Sequence, residues 1–380
     1  MSALGTLDDE AVRPDPPMPA ERPRRPVVRC GSLASGSDGN LRRLRLGVLD
    51  VGSNTVHLLV VDARSGGHPT PMTSEKAELR LAEQLDASGC VGEAGMDALV
   101  AAIRRAAAAS AAAECVDTIA FATSALRDAA NCDDVVDRVR AETGVELRML
   151  PGEDEARYTF LAVRRWYGWS AGRLLVVDIG GGSLELAAGR DEDPDVAASL
   201  PLGAGRLTRE WFTSNPPPAR ETAALADWIG SMLAPVAARV RSAGDADLVV
   251  GTSKTLRSLA RLAGAAPSGA GLCVRRVLTR EGLHQILAFI SRMASSDLAE
   301  LDGVSPRRAH QLVAGALVAD AAMRALAVSH VEICPWALRE GVILRRLDML
   351  SGTVELAAAP VDDTQLLSVT NGDGLRRQYR

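Results

Sequence analysis

Two short segments of this 380-residue chain carry one pattern, Val48-Leu49-Asp50-Val51-Gly52-Ser53-Asn54 and Val176-Val177-Asp178-Ile179-Gly180-Gly181-Gly182. In each, a hydrophobic run ends in Asp, passes through a Gly-rich turn and continues as a second hydrophobic run. That is the pattern of two buried strands joined by a tight turn. Its recurrence about 130 residues later makes the chain an internal duplication in which each copy opens a ββαβ-type half. The fold class that follows is α/β, with two related halves facing each other across a cleft.

The remaining signals fill out both halves. The first is expected to hold strands over 45–50, 55–62 and within 72–81, a helix over 94–113, a strand over 116–123 and a helix over 133–142 stopped by Gly144. A strand over 145–150 and a helix opening at Gly152-Glu153-Asp154-Glu155 follow. The second restarts with strands over 173–178, 183–188 and 196–201, helices over 206–212 and 220–240, and a strand over 247–251. Its end is mostly helical, over 279–293 and over 305–327, with Ser305 as N-cap and Pro306 at the first helical position. A strand over 331–334 and a helix over 338–350 close it. Residues 1–43, rich in Pro, Arg, Gly and Ser, read as a disordered leader and 351–380 as a flexible tail. The halves are then 44–168 and 169–350.

Composition excludes several roles. With 47% hydrophobic and 24% charged residues and a formal charge of −5, the chain has the balance of an ordinary soluble domain pair and lacks the basic excess of a nucleic-acid binder. No apolar run is long enough for a membrane span, and a cytoplasmic location is the default. The six cysteines are scattered without metal-ligand spacing, so neither a zinc site nor a disulfide framework is indicated. Only two of the 43 basic residues are lysines, Lys76 and Lys254. Phosphate chemistry here has to rest on local geometry.

Five motifs offer that geometry. In the first turn Gly52 permits close backbone approach, while Ser53, Asn54 and Thr55 supply amide and hydroxyl donors, the composition of a phosphate clamp. Gly180, Gly181, Gly182 and Ser183 form the stronger second version. Asp50 and Asp178, one before each turn, suit a divalent cation with hard oxygen ligands, Mg2+ foremost and Mn2+ as the alternative. Glu185 lies on the same strand face as Ser183 and offers a further metal ligand, its alternative being a solvent-facing position. Arg127 follows a strand in FATSALRD, where its fork matches phosphate oxygens; the plainer reading pairs it with Asp128 or Asp133. Glu153, Asp154 and Glu155 crowd one helical turn, and spacing does not choose which of them activates a water. Gly251-Thr252-Ser253-Lys254 places donors and a cation at a helix N-terminus, so Ser253 and Lys254 join the candidate anion site, or Lys254 is simply solvated. The five histidines receive no role.

Taken together, these residues resemble the exopolyphosphatase/guanosine-pentaphosphate phosphohydrolase family within the actin-like ATPase superfamily. LDVGSNTVHLLVVD, FATSALRDA, PGEDEARYTFLAV, VVDIGGGSLEL, LPLGAGRLTREWF, GTSKTLRSLARL and ICPWALREGVILRRL carry the likeness from about residue 44 to 350. RRWYGWSAGR is most similar to its short actinobacterial exopolyphosphatases. The resemblance implies two ribonuclease-H-like (actin-like ATPase) domains, 44–168 and 169–350, with the active site in the interdomain cleft. It implies Mg2+-dependent release of terminal orthophosphate from inorganic polyphosphate, with Glu155 as general base. It also implies Arg127 on phosphate, Asp178 and Glu185 at the metal, and a homodimer. One departure is Lys254, where the family has Gly in Gly-x-Ser-Gly-Thr, and this favours a longer phosphate chain over a nucleoside. The competing readings are a guanosine-pentaphosphate 5'-phosphohydrolase and a non-hydrolytic regulator that binds polyphosphate or guanosine tetra- or pentaphosphate.

Overall fold

Hydrophobic runs too continuous for a half-exposed strand require cover on both faces, and the fold supplies it with two sheets and a helical layer between them. The computed structural model describes residues 43–350 except Ser65, Ala82, Glu83 and Ala87, all within the unit Gly36–Arg380. The expected leader, apart from residue 43, and the expected tail over 351–380 lie outside the described residues.

The first half contains β1 (Leu44–Val51), β2 (Thr55–Ala63), β3 (Thr70–Glu78), α1 (Glu93–Ala112), β4 (Asp117–Ala122), α2 (Ser124–Arg127), α3 (Cys132–Thr143) and β5 (Arg148–Met149). Next come α4 (Gly152–Tyr167), β6 (Leu174–Ile179), β7 (Leu184–Gly189), β8 (Val196–Leu200), α5 (Ala204–Trp211), α6 (Ala219–Ser242), β9 (Leu248–Gly251) and α7 (Lys254–Leu262). The chain continues through β10 (Val277–Thr279), α8 (Arg280–Ile290), α9 (Ser295–Ala299), α10 (Leu312–Ala325), β11 (His330–Ile333) and α11 (Leu338–Leu350).

The sheets have the orders β3-β2-β1-β4-β5 and β10-β11-β9-β6-β7-β8. Taken from its β8 edge, the second repeats the first in order and direction: two antiparallel hairpin pairings, then two parallel ones. β10 adds an antiparallel edge strand. The duplication expected from the two Asp–Gly segments is therefore a duplication of whole sheets. In the first, Asp50, His57 and Lys76 stand in register across β1, β2 and β3. In the second, Asp178, Glu185 and Ser199 stand in register across β6, β7 and β8. Residues directly opposite each other share a sheet face, so each half presents one row of side chains beginning at its Asp.

Leu46, Val48, Leu49 and Val51 of β1 are at most 1% exposed. One face of the first sheet is covered by α1 and α3, the other by α11 and Tyr158 of α4. The second sheet packs α6, α7, α8 and α10 on one face, and α4, Trp336 and Leu344 on the other. α4 and α11 thus form the shared layer. They cross at Gly341, where an added Cβ would stand 1.9 Å from the Tyr158 carbonyl oxygen.

Three expectations differ from the structure. β5 pairs only through Arg148 and Met149, although Val145 and Leu147 upstream are buried at 5% and 4% exposure; burial alone gave the longer strand. The helix expected over 305–327 is a 3-10 segment, Pro306–Gln311, followed by α10, and the Ser305 side chain caps nothing. That tighter turn carries Arg308 to the cavity described below and brings Gln311 Nε2 to 3.2 Å from Asn54 Oδ1. The helix expected over 279–293 covers only Arg280–Ile290, with Thr279 Oγ1 accepting from Gly282 N at 3.1 Å as its cap and Ser291 already at its C-terminal end.

Overpacking against backbone at Gly341 is expected to lower stability by about 3 kcal/mol or more in Gly341→Ala. Gly230 in α6 has nothing within 4 Å of an added Cβ, and Gly230→Ala is expected to raise stability by about 0.5–1 kcal/mol. Urea denaturation of both variants checks the pair of signs.

Candidate active site

A turn that binds an anion must direct its carbonyls elsewhere, and both Asp–Gly turns do so. Each is closed by one backbone bond, Gly52 N to Thr55 O and Gly180 N to Ser183 O, both at 2.9 Å. The start of α5 takes the carbonyls of the second turn: Ala204 N donates to Gly180 O, Gly205 N and Arg206 N to Gly181 O, and Arg206 Nε to Gly182 O. In the first turn, Asn54 O accepts from Leu79 N and Arg80 N. Among the described residues the amides of Ser53, Asn54, Gly181 and Gly182 have no backbone acceptor. The two turns also touch. A Cβ on Gly181 would be 2.8 Å from Asn54 Nδ2, and one on Gly182 would be 2.3 Å from Ser124 Oγ.

One cavity of about 530 Å³ gathers most of the expected residues. Asp50, Gly52, Ser53, Asn54, Thr55, Asp178, Gly180, Gly181, Ser183, Glu185, Ser253 and Lys254 line it, together with Glu155. Of the three acids at the head of α4, Glu153 is exposed, Asp154 lies 3.8 Å from Arg157, and only Glu155 reaches the cavity wall. Two expected residues do not line it. Gly182 is packed against Ser124. Arg127, expected on phosphate, instead donates from Nη1 to Glu155 Oε1 at 2.5 Å and to Leu150 O at 2.9 Å, with Nε 3.3 Å from Asp128. Its fork is drawn inward by these acceptors, so it meets the site through Glu155. Ser253 also has a structural task, since its Oγ accepts from Leu256 N at 3.3 Å and caps α7.

Several residues at the cavity were not anticipated. Thr252 Oγ1 donates to Asp178 Oδ2 at 2.6 Å, and Ser199 Oγ to Glu185 Oε1 at 2.9 Å. Arg257, Arg308, Arg339 and His57 line the wall, and Arg339 Nη1 hydrogen-bonds the His57 ring. His57 was within reach of sequence reasoning, because it stands seven residues after Asp50 as Glu185 does after Asp178. The arginines lie outside the repeated segment and carried no such signal.

The four acids share a desolvated space. Burial raises Asp50 to about 6, against the opposing charges of Arg339 and Arg308. Burial raises Glu185 to about 8, with Asp178 adding to the effect and hydrogen bonds from Ser183 and Ser199 opposing it. Asp178 is also raised by burial, opposed by Thr252, Arg257 and Arg308. Glu155 is held well above its ordinary value by burial and by Glu185, and the Arg127 charge only partly offsets them. Such a set draws a cation. No group of three His, Cys, Asp or Glu among the described residues is placed to cage a metal. One or two carboxylates plus waters and ligand oxygens is the manner in which Mg2+ is usually held, and Asp50 and Asp178 fit it.

The profile of the Ppx/GppA phosphatase family matches residues 60–350. Exopolyphosphatase 1 of Mycobacterium tuberculosis is 64% identical over 305 residues, which is 80% of this chain and 89% of the relative. Exopolyphosphatase 1 of Mycobacterium leprae is 60% identical over 322 residues, 85% and 95% of the two chains. Among solved structures, the Aquifex aeolicus Ppx/GppA family member has a TM-score of 0.70 at 23% identity, covering 83% of this chain and 100% of that one. An exopolyphosphatase from Cytophaga hutchinsonii has a TM-score of 0.72 at 22% identity, again over 83% and 100%. These two likenesses show the fold, a paired α/β arrangement. No helix among the described residues is long and apolar enough to cross a membrane.

The raised acids make stability depend on pH. Their folded pKa values exceed the ordinary ones, so the stability they contribute is complete below the ordinary values of 3.8 and 4.5 and is lost as pH rises through about 6 for Asp50 and about 8 for Glu185. Thermal melts without divalent cation are expected to show Tm falling across that window, and Glu185→Gln is expected to flatten the upper part of the fall. A Tm profile identical in both proteins counts against the desolvated acid cluster.

Proposed function

Because the chain belongs to the Ppx/GppA phosphatase family, we propose that this enzyme is an exopolyphosphatase that removes terminal orthophosphate from inorganic polyphosphate. The names of its relatives supply the substrate class. The observation that carries the reading here is Glu155, a buried carboxylate held by Arg127 in the same cavity as the free amides of both Asp–Gly turns. We assign the two lobes to 44–168 and 169–350, with α4 and α11 as the layer between them.

In this reading the terminal phosphate rests against the amides of Ser53, Asn54 and Gly181. Glu155 takes the proton of a water that attacks the terminal phosphorus opposite the bridging oxygen, the bond from phosphorus to that oxygen breaks and the shortened chain leaves with it, and the raised pKa of Glu155 brings it toward the range where a base works near neutral pH. Arg127 orients that carboxylate. Asp50 and Asp178, with Glu185 as a further acid of the same cavity, would hold a divalent cation, Mg2+ by preference, which would supply positive charge to the phosphoryl oxygens. Positioning and electrostatics then supply most of the catalysis, as in other phosphoryl transfers. Lys254 adds charge at the mouth of the cavity, which favours an extended polyanion over guanosine pentaphosphate.

Phosphate release from short polyphosphate, long polyphosphate and guanosine pentaphosphate, with and without Mg2+, is expected to be fastest with polyphosphate and to require the cation. No release from any substrate rejects the hydrolase reading. Glu155→Gln is expected to lower kcat by roughly 10²–10⁴-fold while tripolyphosphate still binds; unchanged turnover rejects the assignment of the base. Arg127 lowers the Glu155 pKa, so Arg127→Gln is expected to move the acid limb of the kcat/KM profile to higher pH.

A further inference from the structure

The acids and glycine turns account for one phosphate, yet the cavity also carries cations that this chemistry does not use. Lys76 stands on β3 of the first sheet, and Lys254 is the first residue of α7 beside the second. They are the only lysines of the chain, and both line the cavity. Both are exposed, whereas Glu155 and Glu185 are 7% and 6% exposed. The lysines therefore mark the solvent edge of the cavity and the acids its floor.

Their charges are poorly matched. Among the described residues the Lys254 amine makes no hydrogen bond or ion pair; desolvation and the nearby charges of Arg308, Lys76 and Arg257 act against its charge, and the Glu78 carboxylate only partly offsets them. Lys76 has Glu78 at 3.9 Å, but Glu78 Oε1 also pairs with Arg307. Arg257, three residues after Lys254 on α7, lines the same wall. Its Nε is buried without a hydrogen-bond partner, and its Nη2 has only a 3.4 Å contact to Thr252 O. A buried donor without an acceptor is costly, and two amines of like charge, one on β3 and one on α7, repel each other with Glu78, already shared with Arg307, as the opposing charge beside them.

We propose that Lys76, Lys254 and Arg257 form a second anion subsite, which holds a phosphate of the uncleaved part of a condensed phosphate chain while its terminal phosphate lies among the acids and glycine turns. The proposal rests on the exopolyphosphatase reading. The chemistry of the three residues suits a repetitive chain. A lysine is a compact charge on a flexible stem, so it follows successive phosphates without demanding one orientation, whereas the arginine fork supplies one fixed direction. Because the subsite joins the two halves, an anion in it pulls Lys76 toward Lys254. An orthophosphate on the cavity floor gains little from it, and a chain of three phosphates gains most.

Calorimetric titration in the Glu155→Gln background separates the two sites, using inorganic phosphate and tripolyphosphate as probes. Lys76→Gln with Lys254→Gln is expected to weaken tripolyphosphate binding about tenfold or more, and Arg257→Gln to weaken it similarly, each with a much smaller effect on orthophosphate. Lys76→Arg with Lys254→Arg is expected to restore most of the affinity. In the protein with native Glu155, tripolyphosphate is expected to protect both lysines from amine acetylation, read by mass spectrometry, where orthophosphate does not. Unchanged tripolyphosphate affinity in the glutamine variants overturns the subsite, as does an equal loss for both probes. Lysine-dependent binding by a native protein that releases no phosphate from tripolyphosphate supports the subsite and removes the exopolyphosphatase reading instead.

Discussion

At Gly181 and Gly182 the second Asp–Gly turn packs against Ser53, Asn54 and Ser124 of the first half with no room for a methyl group. A backbone can approach those side chains this closely only where it carries none of its own. The contact sets the distance between the halves at the floor of the cavity, and with it the spacing of Asp50, Asp178, Glu155 and Glu185. It also fixes which way the turns face. The carbonyls of the second turn are bound by α5 and Asn54 O by the residues that follow β3, so free amides are left toward the ligand side. Desolvation of the acids follows from the same closeness, and from that desolvation comes their need for a cation.

Behind the cavity, α4 and α11 hold the two sheets together. α4 carries Glu155 at its first turn and packs along β6, β7 and β8, while α11 lies across β1. Glu155 is thus mounted on an element that contacts both halves, and it is held by Arg127 from the first half alone. Any change in the crossing at Gly341 moves Glu155 relative to both turns, even though Gly341 lies far along the chain from the motifs.

Much of this was legible in the sequence because the features rest on local rules. A hydrophobic run, an acid and a glycine turn recur in both halves, and the hairpins and their Asp residues follow from period and turn chemistry. The residue likeness to a known family named Glu155 where spacing left three acids open, and only Glu155 of the three lines the cavity. What escaped depends on tertiary placement. Arg308 reaches the wall through a 3-10 segment that reads as ordinary helix, Arg339 approaches from the last helix, and Lys76 sits on an edge strand whose exposed side chains give no periodic signal. The inward turn of Arg127 was equally hidden, because it depends on the Leu150 carbonyl and on a carboxylate 28 residues away. β5 came out shorter than expected because burial and strand pairing, which usually coincide, separate at Val145 and Leu147.

The matching rows across the two sheets are the same in architecture and different in chemistry. Asp50 is followed by His57 and Lys76, and Asp178 by Glu185 and Ser199. An ancestral pair of identical rows would enclose a space with a twofold axis, in which a ligand with equivalent ends could lie either way round at equal energy. Replacing one row by a cation-bearing sequence and the other by an acid-bearing one removes that axis. The space acquires a head and a foot, and a symmetrical ligand placed in it acquires them too.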